Sequence, residues 1–356
     1  MSPVRVALIG CGSVGRRIHA AGLRLCPDVE LALACSRSKA SAESIGAAET
    51  TQDYREVMAR GDIDAVVIAT PNNLHREIAL AAFAAGKHVL CEKPLALNAA
   101  EAREMRDAAE ASGRVHMTAF TYEFIPAVRY LKKLVDRGDL GEIRSVRGAY
   151  LMALAGHTLG WRSTKAQAGC GVLGDIGSHL IHLCHWLAGD IARLTATERK
   201  FRDDPASDVE DWIAFLAEFK SGAVGTFELS RICPGRGADI TEEMTIEVYG
   251  TEGGALMSMA DPRAVWLTTS VPAKDPASRL ERFEIPESEW KLPGAPRELS
   301  DGDMRWSYRY DQAFQFIQAI REHRSATPSF SDGYKTQEVL DAALRSAQTR
   351  RWENVR

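Results

Sequence analysis

A carboxylate and two imidazoles fall together between Gly169 and Asp190, in the run G-C-G-V-L-G-D-I-G-S-H-L-I-H-L-C-H-W-L-A-G-D. On a helix turning roughly 100° per residue, Asp175, His179, His182 and Trp186 lie within about 60° of one another. Ile176, Leu180, Leu183 and Leu187 form a second stripe about a quarter-turn away, suited to packing in a core. Such a helix shows an acid and two titratable bases to a cavity while its neighbouring face is buried. Gly169, Gly171 and Gly174 just upstream let the backbone turn tightly or approach a ligand. Two plainer readings remain open on this stretch alone. The histidines can be satisfied core residues, or Asp175, His179 and His182 can be metal ligands.

The elements that must position these groups begin at the N-terminus. Val4 to Ile9 is an apolar run suited to a strand buried on both faces, and Gly10-Cys11-Gly12-Ser13-Val14-Gly15 follows at once. Arg16 to Leu25 reads as a helix, so G-x-G-x-x-G stands between a strand and a helix N-terminus. There Gly10 makes the turn, Gly12 admits a pyrophosphate to the backbone and Gly15 lets helix and strand pack. The free N–H groups of Ser13, Val14 and their neighbours face the phosphates. The next strand, Glu30 to Cys35, ends in Ser36-Arg37-Ser38-Lys39, with no acid for a ribose 2′-hydroxyl. Ser36 and Arg37 suit a 2′-phosphate, so NADP is expected over NAD. A solvated basic loop is the competing reading.

Ile63 to Thr70 is a further strand, leading into Thr70-Pro71-Asn72-Asn73 and a helix from His75 to Ala85, stopped by Gly86. Lys87 to Cys91 is a fourth strand, running into Glu92-Lys93-Pro94. Alternating strands and helices make a doubly wound parallel sheet with its ligands at the strands' carboxyl ends. Thr70, Pro71, Asn72, Asn73, His75, Glu92 and Lys93 are therefore assigned with the glycine turn to the cofactor crevice. Asn98 with Glu101 reads as a capping box for a helix to Ser112, and Val115 to Phe120 as a fifth strand. Tyr122 to Pro126 marks a boundary, giving a Rossmann domain over 1–123 and a second α/β domain over 124–356. Beyond it, alternating strands are expected at 143–151, 193–201, 209–220, 223–232, 243–249 and 254–260, with hairpin turns at 220–222 and 250–253. They imply a large open, mostly antiparallel sheet with the 175–187 helix on one face. Residues 288–304 read as a loop, and 308–323 and 335–349 as closing helices.

Composition bounds the function. A chain of 356 residues suits two domains, and 45% hydrophobic with 26% charged residues is ordinary for a globular protein. A net charge of −4 with no basic cluster argues against nucleic acid, and no apolar run is long enough for a membrane span. The seven scattered cysteines suit reduced thiols, and a first strand at Val4 leaves no room for a signal peptide. A cytoplasmic location is expected.

The fingerprint, Thr70-Pro71-Asn72, Glu92-Lys93-Pro94 and Asp175-x-Gly-x-His179, in this order, resemble the glucose–fructose oxidoreductase/inositol dehydrogenase (Gfo/Idh/MocA) family nearly end to end, down to Pro328 and Asp332-Gly333 before a last helix. The resemblance implies a Rossmann domain and an α/β domain whose open sheet often mediates dimers or tetramers. It also implies hydride transfer between a nicotinamide and a sugar, polyol or related hydroxyl compound. Carried over, Lys93, Asp175 and His179 are the catalytic set, with no metal. His182 stands where the family frequently has a second aspartate, and Glu123 where it commonly has an arginine.

Oxidising a secondary alcohol needs a base for the hydroxyl proton, and histidine titrates near neutrality. His179 takes that role, Lys93 stabilises developing alkoxide charge, and Asp175 binds a substrate hydroxyl or orients the imidazole. Tyr122, Trp161, Arg162 and His182 are candidate substrate-pocket residues. A non-catalytic nicotinamide sensor would be expected to lose the lysine–aspartate–histidine set. A glycosidase using transient oxidation by bound cofactor is a third possibility. Trp212, Phe215, Phe219 and Phe227, on mixed faces of strands 209–232, suggest a homodimer or homotetramer formed through the sheet.

Overall fold

The strand that opens the chain is buried along almost its whole length, which only a sheet covered on both faces allows. The computed structural model describes residues 2–153, 159–236, 243–268, 278–298 and 307–356. It divides into two compact units, Met1–Thr121 with Lys291–Tyr334, and Tyr122–Trp290 with Lys335–Arg356.

In the first unit the strands are β1 (Val4–Ile9), β2 (Val29–Cys35), β3 (Glu49–Thr51), β4 (Ala65–Ile68), β5 (His88–Cys91) and β6 (His116–Thr118). They run parallel in the order β3-β2-β1-β4-β5-β6, the doubly wound sheet expected. The chain leaves β1 in one direction and resumes at β4 on its other side, so the crevice opens between the carboxyl ends of these two strands. Two short helices, Lys39–Glu43 and Tyr54–Ala59, and strand β3 lie where no element was expected, making His88–Cys91 the fifth strand. A three-residue strand of Glu-Thr-Thr has no periodicity to read. The capping box at Asn98 is present, its side chain accepting the Glu101 N–H at 3.0 Å.

The segment 291–334, assigned from sequence to the second domain, belongs to the first. The helix Tyr310–Arg321 packs on the helix Ala21–Leu25 so closely that a Cβ on Gly22 would stand 3.2 Å from that of Ala313. Its Asp311 holds the fully buried Arg297 through two hydrogen bonds of 2.8 and 3.0 Å. Phe330 packs edge-on against Phe83 and His116, and Thr118 donates to the Pro328 carbonyl at 2.8 Å. The last helix is Phe330–Thr349, starting earlier than expected and taking Asp332 and Gly333 into its first turn. Asp332 accepts the Ser329 N–H at 2.7 Å, a cap whose S-x-x-D signature was readable.

The second unit is built on β7 (Ile143–Leu151), β8 (Ile191–Arg199), β9 (Trp212–Phe219), β10 (Val224–Ser230), β11 (Glu243–Gly250), β12 (Gly254–Ser258), β13 (Ala264–Thr268), β14 (Leu280–Glu284) and β15 (Glu353–Asn354). Their order is β14-β13-β12-β11-β7-β10-β9-β8-β15, antiparallel throughout except at β7–β10. The last three strands were not expected. The helix Ser178–Ala188 packs against the sheet where β7 carries Gly148, whose missing side chain admits Leu180. Phe215, Phe219 and Phe227 all face inward, with Phe215 and Phe227 stacked at 4.6 Å. Only Trp212 of the four aromatics lies on the other face, where it donates to Glu228; the exposed Leu216 and Val224 lie further along that same face. The four therefore stand on both faces of the sheet, three inward and one outward, as strand alternation dictates. All seven cysteines are free thiols, and no helix among the described residues is long and apolar enough to cross a membrane.

Burial in the first unit pushes His75, His88 and His116 below the ordinary histidine value, and Arg114 helps hold His88 down to about 4. The folded state then binds fewer protons than the unfolded chain between pH 6.5 and about 4. Stability is therefore full above this window and falls as pH drops through it. His88→Asn keeps an acceptor for the Val115 N–H that His88 Nδ1 accepts at 2.9 Å. Urea midpoints measured from pH 7 to 4 should fall less steeply in the variant. Parallel profiles would show that His88 titrates normally in the fold.

Candidate active site

The glycine turn has the form a dinucleotide needs. Gly10 adopts φ of +103°, and a Cβ there would lie 2.3 Å from the Ala69 carbonyl oxygen, so only glycine lets β1 and β4 approach at the crevice. A Cβ on Gly15 would strike the Gly10 carbonyl at 2.1 Å. Gly12 is the reverse case: nothing lies within 4 Å, leaving open space over the first helical turn, where Ser13 and Val14 stand. A helix leaves its first N–H groups without internal acceptors, and such groups bind phosphate. The chain thus fits a dinucleotide at the turn. The helix then widens at Gly15–Ala20 into i→i+5 bonding, which the sequence did not signal.

His19 lies within that widened turn. Its Nε2 stands 2.8 Å from Glu92 Oε1, and Glu92 Oε2 accepts the Lys93 N–H at 3.2 Å. Burial alone would raise the Glu92 carboxyl, but His19 and the Lys93 charge and amide bring it below the ordinary value. On the other side of Lys93, His75 is fully buried, with Nδ1 3.0 Å from the Pro94 carbonyl and Nε2 3.0 Å from that of Thr70. His75, expected in the cofactor crevice, thus lies buried between the Thr70–Asn73 and Lys93–Pro94 loops, its two ring nitrogens facing one carbonyl from each. In that first loop Asn72 is buried, Thr70 and Pro71 are half-buried and Asn73 is exposed. After β2, Ser36 donates its N–H to the Thr51 carbonyl and Arg37 is exposed, its own carbonyl accepting from Gln52.

In the second unit the functional helix starts against a carboxylate. Glu210, buried just before β9, accepts the N–H groups of Gly171 at 2.8 and 2.9 Å and of Leu173 at 3.0 Å. Burial pushes its carboxyl up from the ordinary value despite these bonds. A Cβ on Gly171 would lie 2.0 Å from the Glu210 carbonyl oxygen, so the close approach requires glycine. The first turn, Leu173–Gly177, is again widened and carries Asp175, and Ser178–Ala188 continues as a regular helix. Asp175 Oδ1 faces Arg162 Nε at 3.3 Å and Oδ2 faces Arg231 Nη2 at 2.8 Å. The Arg162 guanidinium in turn lies 4.3 Å over the Trp161 ring. His179 stacks on Tyr122, ring centroids 3.8 Å apart at 15°, and the Tyr122 hydroxyl bonds that of Tyr150 at 2.8 Å. His182 Nε2 stands 2.7 Å from Glu123 Oε2, both side chains buried.

Trp161, Arg162, Asp175, His179, His182 and Tyr122 thus share one neighbourhood, as the sequence reading grouped them. Adjacent residues Tyr122 and Glu123 grip His179 and His182, so the two departures from the family pattern, Glu123 and His182, meet as one pair. Among the described residues no set of three or more His, Cys, Asp or Glu side chains is gathered for a metal. Sequence reasoning missed His19, Tyr150, Glu210 and Arg231. Only Glu210 had a cue, an acid opening an apolar strand, and nothing in the sequence marked Arg231 as buried.

Comparison with known proteins agrees with this geometry. Residues 4–120 match the model described as oxidoreductase family, NAD-binding Rossmann fold, and residues 128–256 that of the GFO/IDH/MocA C-terminal domain. Levoglucosan dehydrogenase of Pseudarthrobacter phenanthrenivorans is 32% identical, over 100% of this chain and 99% of that protein. D-glucoside 3-dehydrogenase of Escherichia coli is 31% identical over 72% of this chain and 77% of its own. A solved levoglucosan dehydrogenase in complex with NADH and levoglucosan superimposes with a TM-score of 0.89 at 31% identity, covering 99% of this chain and 100% of that one.

Removing the carboxylate in Glu210→Ala strands the buried N–H groups of Gly171 and Leu173. At about 1–3 kcal/mol for each of these two groups, urea unfolding should show a loss of roughly 2–6 kcal/mol. A loss under about 0.5 kcal/mol would mean that the helix start is held by something else.

Proposed function

The chain belongs to the Gfo/Idh/MocA family of oxidoreductases, and from that premise we propose that it oxidises a secondary hydroxyl of a pyranose sugar or glycoside, or reduces the matching ketone. It is an NAD-binding oxidoreductase. The observation that carries the substrate reading is the grouping on one helix of His179, held by a stacked tyrosine, and Asp175, held between guanidiniums. A sugar offers adjacent hydroxyls, one to lose its proton and one to be gripped, and this pair of side chains meets both needs. The relatives named levoglucosan dehydrogenase, D-glucoside 3-dehydrogenase and 1,5-anhydro-D-fructose reductase point to the same class.

When bound, the nicotinamide ring supplies the hydride acceptor or donor. The glycine turn and the first helical N–H groups hold the pyrophosphate. His179 takes the proton of the reacting hydroxyl, or returns it in reduction, and stacking on Tyr122 fixes the plane of its ring. Lys93 supports the negative charge that develops on the same oxygen. Its backbone is held on both sides, through Glu92 by His19 and through Pro94 by His75. Asp175 accepts a hydrogen bond from a neighbouring substrate hydroxyl.

The choice of dinucleotide rests on Arg37. With no acid between Ser36 and Lys39, a 2′-phosphate meets a guanidinium that can hold it bidentately. The reading is NADP preferred with NAD also bound. The outer face of the second sheet, with Leu216 and Val224 about half exposed, supports a homodimer or homotetramer formed there.

Turnover is followed by nicotinamide absorbance with levoglucosan, D-glucosides and 1,5-anhydro-D-fructose, and activity on at least one is expected. Lys93→Ala and His179→Ala should each lower kcat at least about 100-fold, with nicotinamide affinity little changed in His179→Ala. Near-normal turnover in either removes that residue from the mechanism. Arg37→Ala should weaken NADP about 10- to 100-fold and leave NAD nearly unchanged. Tighter binding of NAD than NADP by the unsubstituted protein defeats the NADP reading.

A further inference from the structure

Arg231 follows β10 and has no solvent exposure in its side chain. Burying a guanidinium is costly, and structures normally surround one with acceptors. Here a single ion pair is made, Nη2 to Asp175 Oδ2 at 2.8 Å, and among the described residues Nε and Nη1 find no hydrogen-bond acceptor. A residue kept for stability alone would be better replaced by an apolar one of the same volume. Its backbone is also held, the N–H donating to the Asp211 carbonyl at 2.9 Å as the sheet ends. The cation is therefore rigid and points at one carboxylate oxygen.

The other oxygen of Asp175 is held differently. Arg162 Nε approaches Oδ1 at 3.3 Å, a long contact for a charge-assisted bond, and its side chain is 34% exposed on the Trp161 ring. The two guanidiniums hold the carboxylate unequally: Oδ2 by a short bond from a fully buried side chain, Oδ1 by a long one from a partly exposed side chain.

We propose that Arg231 is a positioning residue that fixes the Asp175 carboxylate through Oδ2, so that Oδ1 is presented to a substrate hydroxyl that takes over from the loose Arg162 contact. This rests on the sugar reading above and deepens it: the site selects a substrate with a second hydroxyl beside the one oxidised. With Arg231 a permanent cation at Oδ2, Asp175 serves as an acceptor in ground-state binding and not as the base. Losing its orientation raises KM and leaves the chemical step at His179 largely intact.

The test is a double-mutant cycle on the full chain, with Arg231→Lys, Arg231→Met, Asp175→Asn and their combinations. Sugar KM and kcat, nicotinamide affinity and thermal midpoint are measured for each. Arg231→Lys keeps the charge and loses the reach and fork of the guanidinium. It should raise sugar KM about 10- to 100-fold while kcat changes less than about threefold and nicotinamide affinity stays constant. In the Asp175→Asn background neither Arg231 substitution should raise KM further, because Arg231 acts only through that carboxylate. Additive effects on KM, or a lowered thermal midpoint with unchanged KM, overturn the proposal. Should Arg231→Met not fold, the lysine variant carries the cycle. If the unsubstituted protein oxidises no sugar, the sugar reading fails first, and a crystal structure of Arg231→Lys decides the positioning role by itself. A rotated Asp175 carboxylate supports it and an unmoved one overturns it.

Discussion

The buried Glu210 carboxylate determines where the functional helix begins. A helix start exposes N–H groups that must find acceptors or water, and inside a domain water is scarce. Glu210 meets this with one side chain on the amides of Gly171 and Leu173, and its own backbone is close enough to demand glycine at 171. Because Glu210 leads directly into β9, the helix start is registered to the sheet on which the rest of the helix packs. The widened turn at Leu173–Gly177, the stacking of His179 and the pairing of His182 all follow from that start. Burial raises the Glu210 carboxyl, so part of the favourable bonding is offset by the cost of holding charge away from water.

The same principle recurs around Lys93. The backbone on either side of it is held by imidazoles from different helices. His19 holds Glu92 from the helix after the glycine turn, and His75 holds Pro94 and Thr70 from the helix after β4. The two loops that flank the crevice are thus backed by buried side chains. Functional groups placed on loop ends need such support, since a loop alone does not fix a side chain to the precision that proton transfer requires.

The pair Glu123–His182 joins the two positions at which the sequence departs from the family pattern. Each residue, taken alone, is a departure from the family pattern within the substrate neighbourhood. At 2.7 Å and buried, they satisfy one another. Tyr122 and Glu123 being neighbours in sequence makes one short segment responsible for the setting of both histidines.

By itself the sequence determined the features that depend on local spacing. The apolar run 4–9 with its glycine turn, the cap at Asn98, the alternating strands after 143 and the single face shared by His179 and His182 are written in residues a few positions apart. The family pattern was legible for the same reason, as ordered short motifs. Tertiary structure decided what depends on residues far apart in the chain. It returned 291–334 to the first unit through packing at Gly22 and the buried Arg297–Asp311 pair. It seated His75 between two loops, paired Glu123 with His182, and buried Arg231 against Asp175. Periodicity tells which face of an element is apolar, but not which polar group will stand opposite it. Partnership across long sequence separations is settled only when the elements pack, because the cost of an unpaired buried charge or N–H is felt only there.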